Sequence, residues 1–412
     1  VPVAQSVEVE VSIYNYCKDN GKVVEENDEF VVYGLHQYNY GDLSRRFSRL
    51  DALMSGMKIV PELFILGLIS TYDAFLSNLI KQMFESKPEL LSSSERKLTF
   101  SELSHFDNID AARLHIVEKE VESVIRQSHA DHFVWLESKL GITLRKDLDI
   151  WPDFIELCER RNLLTHTGGI VSSQYMAVCR NHGCDLKDRS VGERLEISRA
   201  YVRKAVDVIE ELGVKLIQVV WRKLLPDEVE KASESLSSTT YDLIVHRRYR
   251  MAIKLLEFGL SLKNTGPERV RKMMIVNMAN AQKLSGDKEA AEKTLQQTDW
   301  SATADEFQIC IAAIRDNLSE VVALMPKVAA SQSVTAVDFR EWPVFELLRK
   351  EEEFATQFEK NFGEPLSLRK IAAEKSDASA EAEGPSRLES PKAADNEETE
   401  KPDLNDPSDT VH

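Results

Sequence analysis

Five cysteines in 412 residues (Cys17, Cys158, Cys179, Cys184 and Cys310) are too few and too scattered for a disulfide framework. That excludes the stapled secreted scaffolds and favours a reducing compartment, with the cytoplasm as the default. Positive charge is also in short supply, 52 Lys+Arg against 69 Asp+Glu for a net charge of -17, which excludes a surface that coats polyanions by bulk electrostatics. Long hydrophobic runs are missing. The most apolar window, Val60 to Ile80, is interrupted by Glu62 and Asp73, so it reads as a buried helix and no membrane is expected. Val1 to Glu10 has no basic region and does not read as a signal peptide. There is no Gly-x4-Gly-Lys-Ser/Thr loop, no Gly-x-Gly-x-x-Gly after a strand and no serine nucleophile elbow, so nucleotide hydrolysis and dinucleotide binding lack support. Cys179, His182 and Cys184 offer three soft ligands where structural zinc needs four, and only His129 and His132 could complete the set across the fold. No metal and no cofactor is expected.

What is present is the mixture of a soluble globular protein, 42% hydrophobic and 29% charged residues, with a length that suits two domains plus appendages. The acidity is uneven: Ser376 to His412 carries 11 acidic and 3 basic residues, four prolines and no aromatic. Such a composition buries too little apolar area to offset its ordering entropy, so residues 371–412 are read as a disordered acidic tail. Residues 6–14 and 29–33 alternate or run apolar at strand length, with Asn20-Gly21 and Asn27-Asp28 as turn residues, and predict a small β-hairpin within residues 1–41. After Tyr40 the periodicity is helical. Helices are predicted over Leu43 to Lys58, Pro61 to Phe84, Ile109 to Gln127, Ala130 to Leu140, Trp151 to Thr165 and Glu193 to Leu225, with Gly141, Pro152 and Gly168-Gly169 as stop and start marks. The Pro61 helix is apolar on most sides and is expected at the centre of a bundle spanning residues 42–225.

Beyond Pro226, the stretches around Ala252, Ala291 and Leu324 each set a small residue or apolar run at offsets averaging near the ~34-residue period of tetratricopeptide helical pairs. Residues 226–370 are therefore read as a tetratricopeptide-like helical repeat domain, closed by the aromatic helix of residues 342–358. An ordinary helical domain containing two such pairs is the alternative. The basic run His246 to Arg250 reads as the solvated face of a repeat helix, although its interleaved Tyr249 also suits RNA contact. The fold class is mainly α.

One constellation carries chemistry: Glu159-Arg160-Arg161-Asn162-Leu163-Leu164-Thr165-His166-Thr167-Gly168-Gly169. On a helix, Asn162 and His166 lie about 40° apart, whereas Arg161 lies about 140° from His166. Asn162 is thus placed to orient the imidazole, and the arginine must reach round the helix or act on a site shared with another subunit. An imidazole titrating near neutrality serves as acid or base, and a guanidinium holds a phosphodiester and its transition-state charge. Together they are a minimal apparatus for cutting RNA through its own 2′-hydroxyl. The same letters also fit a buried arginine paired with an acid and a histidine capping its own helix C-terminus.

The motif, following a long apolar helix that bears Ile69-Ser-Thr-Tyr72-Asp73-Ala74-Phe75-Leu76, resembles the HEPN superfamily, whose hallmark is Arg, four to six residues, then His, with a polar residue after the arginine. Arg161, Asn162 and His166 match at those positions, and the resemblance covers residues 42–225. It implies a helical bundle that dimerises so that two motifs face each other in a composite, metal-independent endoribonuclease site, in the setting of bacterial antiphage or stress-defence toxins. In that reading His166 is the acid/base, Arg161 the phosphate and transition-state stabiliser and Asn162 the orienting residue. Asp73 and Arg160 are candidate supporting residues, and Asp73 is equally readable as the structural ion-pair partner of Arg160 or Arg161. The implied partners are an RNA substrate, a second copy of the chain, and a protein partner or trigger on the repeats. The alternative is a catalytically silent bundle-and-repeat scaffold that binds other proteins.

Overall fold

A computed structural model of the chain describes residues 2–27, 29–93, 98–187 and 189–367; the acidic tail lies outside these. The architecture is mainly helical, with one two-stranded sheet among the described residues. It divides into two compact units, residues 1–317 and 318 onward.

The first unit opens with helix α1 (Pro2–Asn20), followed by β1 (Gly21–Glu26) and β2 (Val31–Leu35). The hairpin exists, but the predicted strand over residues 6–14 is helix. Val9 and Ile13 are buried while Val7 and Val11 are half exposed, so the four-residue subset of an alternating pattern forms the packed helical face. The strands pair antiparallel, Gly21 opposite Leu35, with an irregularity between Val23 and Glu25. Asn27 turns the hairpin, its Oδ1 accepting from the amides of Glu29 (2.8 Å) and Phe30 (2.9 Å). At the helix-to-strand switch a Cβ on Gly21 would sit 2.6 Å from the Cys17 carbonyl oxygen, so only glycine fits.

The two helices predicted on either side of Pro61 are one, α2 (Tyr40–Ser86). Proline removes a single amide from the ladder, and the helix carries on through it. Its C-terminal half buries Ile65, Ile69, Tyr72, Leu76 and Ile80, while Ile59, Val60, Leu63 and Phe64 on its outer side are exposed. The helix is therefore buried along one stripe and not on most sides. By length and composition alone α2 is long and apolar enough to cross a bilayer, a test that single helices of soluble proteins also pass, and most of its apolar stretch is exposed. Its two interrupting acids are both paired within the bundle, Glu62 with Arg194 (2.9 Å) and Asp73 with Arg161 (3.6 Å).

Around α2 pack α4 (Ile109–Ile125), α5 (His129–Leu140), α6 (Trp151–Thr167) and α8 (Arg199–Leu224), after the short α3 (Phe100–Leu103) and with α7 (Ser173–Asn181) lying against α6. The shared core joins Ile69, Tyr72 and Leu76 to Phe133, Leu136, Phe154, Leu212 and Leu216. Tyr72 meets Phe154 edge-on with ring centroids 5.1 Å apart. Gly141 and Gly168 end α5 and α6 in the left-handed conformation, and Pro152 opens α6, as the sequence marks predict.

The same unit continues through α9 (Val229–Val245), α10 (Tyr249–Ser261), α11 (Glu268–Leu284), α12 (Lys288–Leu295) and α13 (Asp305–Ile314), with α9 to α12 packing in succession, α13 packing on α11, and α8 packing on α9 and α10. Ala252 and Ala291 are buried where these helices approach. Between α11 and α12, Gly286 takes a φ of 99° and the Asp287 side chain caps the Ala290 amide at 2.9 Å. Arg248 pairs with Asp207 (2.7 Å) and Glu210 of α8, which ties the start of α10 to the bundle. The second unit holds α14 (Leu318–Ala330), α15 (Ala336–Glu341) and α16 (Glu352–Phe362), with Phe339, Phe345, Phe354 and Phe358 fully buried together.

Candidate functional site

Helix α6 carries the Arg-Asn-His motif, and its ends explain where the side chains fall. Trp151 and Pro152 start it, and Gly168 (φ 61°) and Gly169 (φ 84°) stop it, the Gly169 amide returning to the Leu163 carbonyl at 3.0 Å. The N-terminal half is buried on nearly every side. The C-terminal half emerges, so that Arg161 and Asn162 are half-buried and Thr165 to Gly168 are exposed.

Arg160 and Arg161, adjacent in sequence, have separate duties. Arg160 is 5% exposed, donates from Nε to Glu156 Oε1 (2.8 Å) and from Nη1 to the Glu196 carbonyl (3.2 Å), and lies 4.0 Å over the Tyr201 ring. Glu156 also accepts from Tyr175 (2.7 Å), Arg189 (2.8 Å) and Tyr201 (2.8 Å). Burial pushes the Glu156 carboxyl up, but Arg160, the Tyr175 hydroxyl and Arg189 outweigh it and hold the group below its ordinary value. This buried cluster fastens α6 to α7, α8 and the 189–196 segment, and it engages Nε and both terminal nitrogens of Arg160.

Arg161 points the other way, toward α2. Its Nη2 stands 3.6 Å from Asp73 Oδ2, both side chains 26% exposed. The second oxygen of Asp73 meets Nε2 of His129, the first residue of α5, at 3.1 Å. Asp73 therefore pairs with Arg161 and not with Arg160. Asn162 donates its amide to Glu159 Oε1 (3.1 Å), one turn back on α6, rather than to His166. Burial raises the Glu159 carboxyl above its ordinary value, against the opposing pull of that hydrogen bond and of nearby His129 and Arg161. His166 is exposed in the last turn and makes no hydrogen bond or ion pair among the described residues. It does not cap its own helix carbonyls. Thr165 and Thr167 take two of these, donating to the carbonyls of Arg161 (2.9 Å) and Leu163 (3.0 Å).

Round the emerging half of α6, then, runs a polar arc from Arg161 through Asp73, His129, Glu159 and Asn162 to the face that also bears His166. Sequence reasoning supplied Arg161, Asn162, His166 and Asp73, read His129 and His132 only as a completion of a zinc set, and missed Glu159. His132 is 1% exposed with its ring centroid 5.1 Å from that of His129, and burial first, then His129, lowers its pKa. The cysteine-histidine group is used otherwise: His182 Nδ1 accepts from Trp151 (3.2 Å) and the Cys184 thiol donates to the Pro152 carbonyl (3.1 Å). Among the described residues, no three His, Cys, Asp or Glu side chains are grouped to hold a metal ion.

No family model, no curated protein and no solved structure matches the chain.

Proposed function

We propose that the chain is a HEPN-type endoribonuclease that cleaves RNA through its 2′-hydroxyl, at a site shared between two copies. The observation that carries the reading is the state of the motif's two ends. His166 is exposed and unengaged, and Arg161 is held by a single carboxylate that leaves most of its guanidinium donors unused. An unengaged imidazole accepts the 2′-hydroxyl proton as that oxygen attacks phosphorus. The guanidinium neutralises charge on the non-bridging oxygens, and the departing 5′-oxygen takes up a proton from the imidazolium so formed. The products are a 2′,3′-cyclic phosphate and a 5′-hydroxyl. Because Arg161 and His166 lie about 140° apart on one helix, a second copy facing the end of α6 is what brings both kinds of group to one phosphate.

On this reading the helices after Pro226 form a tetratricopeptide-like surface for a protein partner or trigger, and the setting is a cytoplasmic antiphage or stress-defence toxin. Both proposals rest on the sequence resemblance. A specific observation favours the rival, a silent scaffold: the Asp73–Arg161 contact is also what a structural ion pair looks like. The experiment is cleavage of an RNA and of the same RNA with a 2′-deoxy substitution at the cut site, with EDTA present. Cyclic-phosphate ends from the first and no cut at the substituted position support the nuclease; intact RNA in both arms supports the scaffold.

A further inference from the structure

We propose that His129 is a positioning residue for the Arg161 guanidinium, acting through Asp73; the inference rests on the nuclease reading for its consequence in cleavage. The Asp73–Arg161 contact is one partly exposed ion pair at 3.6 Å, and such pairs hold long side chains only loosely. What gives the carboxylate a fixed direction is its other oxygen, 3.1 Å from His129 Nε2. His129 is itself immobilised. It is 8% exposed and opens α5 directly after Ser128, whose hydroxyl caps the Asp131 amide at 3.2 Å. Its ring packs among Tyr72, Phe154 and His132, with centroids 6.1, 6.1 and 5.1 Å away. A buried imidazole whose polar partner is the carboxylate beside Arg161 leaves one oxygen of that carboxylate for the guanidinium and restricts how it turns. Arg161 thereby presents its unused donors in one direction, where an unsupported arginine would sample many. No sequence pattern shows this link, because it spans three helices.

Five forms of the full chain test it: wild type, His129→Phe, which keeps the ring packing and removes the hydrogen bond, His129→Gln, which restores a donor near the Nε2 position, Arg161→Ala, and His129→Phe combined with Arg161→Ala. Thermal melting confirms that each is folded. In single-turnover cleavage, His129→Phe is expected to be slower by about 10- to 100-fold, as for a misplaced positioning group, with RNA affinity little changed. His129→Gln should recover most of the rate, and the double variant should be no slower than Arg161→Ala alone. In arginine-labelled protein, the Arg161 Nε–H NMR signal should move in His129→Phe to the position of a solvent-exposed arginine. A wild-type rate in His129→Phe, multiplicative effects with Arg161→Ala, or an unmoved Arg161 signal overturns the inference. If wild-type protein cuts no RNA, the nuclease reading fails, and the Arg161 signal alone decides the positioning claim.

Discussion

Asp73 Oδ2 on α2 lies 3.6 Å from Arg161 Nη2 on α6, each side chain about a quarter exposed. In that partly wet position the pair is worth at most about 1 kcal/mol, so its importance is geometric. Asp73→Asn keeps the shape and removes the charge. It is expected to lower unfolding stability by about 1 kcal/mol or less while slowing RNA cleavage at least about tenfold. Urea denaturation and single-turnover rates on the same protein check both halves; a stability loss without a rate loss would make the pair purely structural.

The neighbouring arginine should behave in the opposite way. Arg160 is buried against Glu156, and removing one partner leaves the other charged and dry. Glu156→Ala is expected to cost about 3–5 kcal/mol, measured by denaturant unfolding, because three further donors also lose their acceptor.

Acid sensitivity follows from the same carboxylates. Glu137 drops from 4.5 to about 2 through its hydrogen bond from Arg145, helped by the Arg145 and Leu144 amides, and Glu156 is also held low. A folded-state value below the unfolded one contributes stability that is complete above the unfolded value and is lost as pH falls through the folded one. Stability should therefore fall between about pH 4.5 and about pH 2, and Glu137→Gln should flatten that part of the profile. Glu159 has the reverse sign: its raised carboxyl favours the fold at low pH and opposes it as pH rises. Glu159→Gln should thus be neutral or stabilising at pH 7, where loss of stability would contradict this account.

Gly168 ends α6 at a φ of 61°, with nothing within 4 Å of an added Cβ. Gly168→Ala should cost only the backbone penalty, about 1 kcal/mol, and should disturb the turn that carries His166. Thermal unfolding reads the first effect and cleavage rate the second.

Much of this was legible where backbone chemistry is local. Gly141, Pro152 and Gly168 act through their own φ angles, so α5 and α6 were placed to within two residues. Local reading failed where two structures share a pattern. The Val7-to-Ile13 alternation contains an i,i+4 pair, and α1 uses only that pair. At Pro61 one missing amide did not outweigh the packing of the turns on either side. The motif residues were legible by spacing, but their partners were not. His129 reaches Asp73 across 56 residues, and Asn162 donates to Glu159, one turn back on the same helix.

His166 and Arg161 are proposed to do the chemistry. The most direct test of that assignment is RNA cleavage by purified wild-type, His166→Ala and Arg161→Ala proteins with EDTA present, scored for 2′,3′-cyclic phosphate ends. Wild type is expected to cleave, and each variant to lose about 100-fold or more. Cleavage retained in both variants would contradict the assignment.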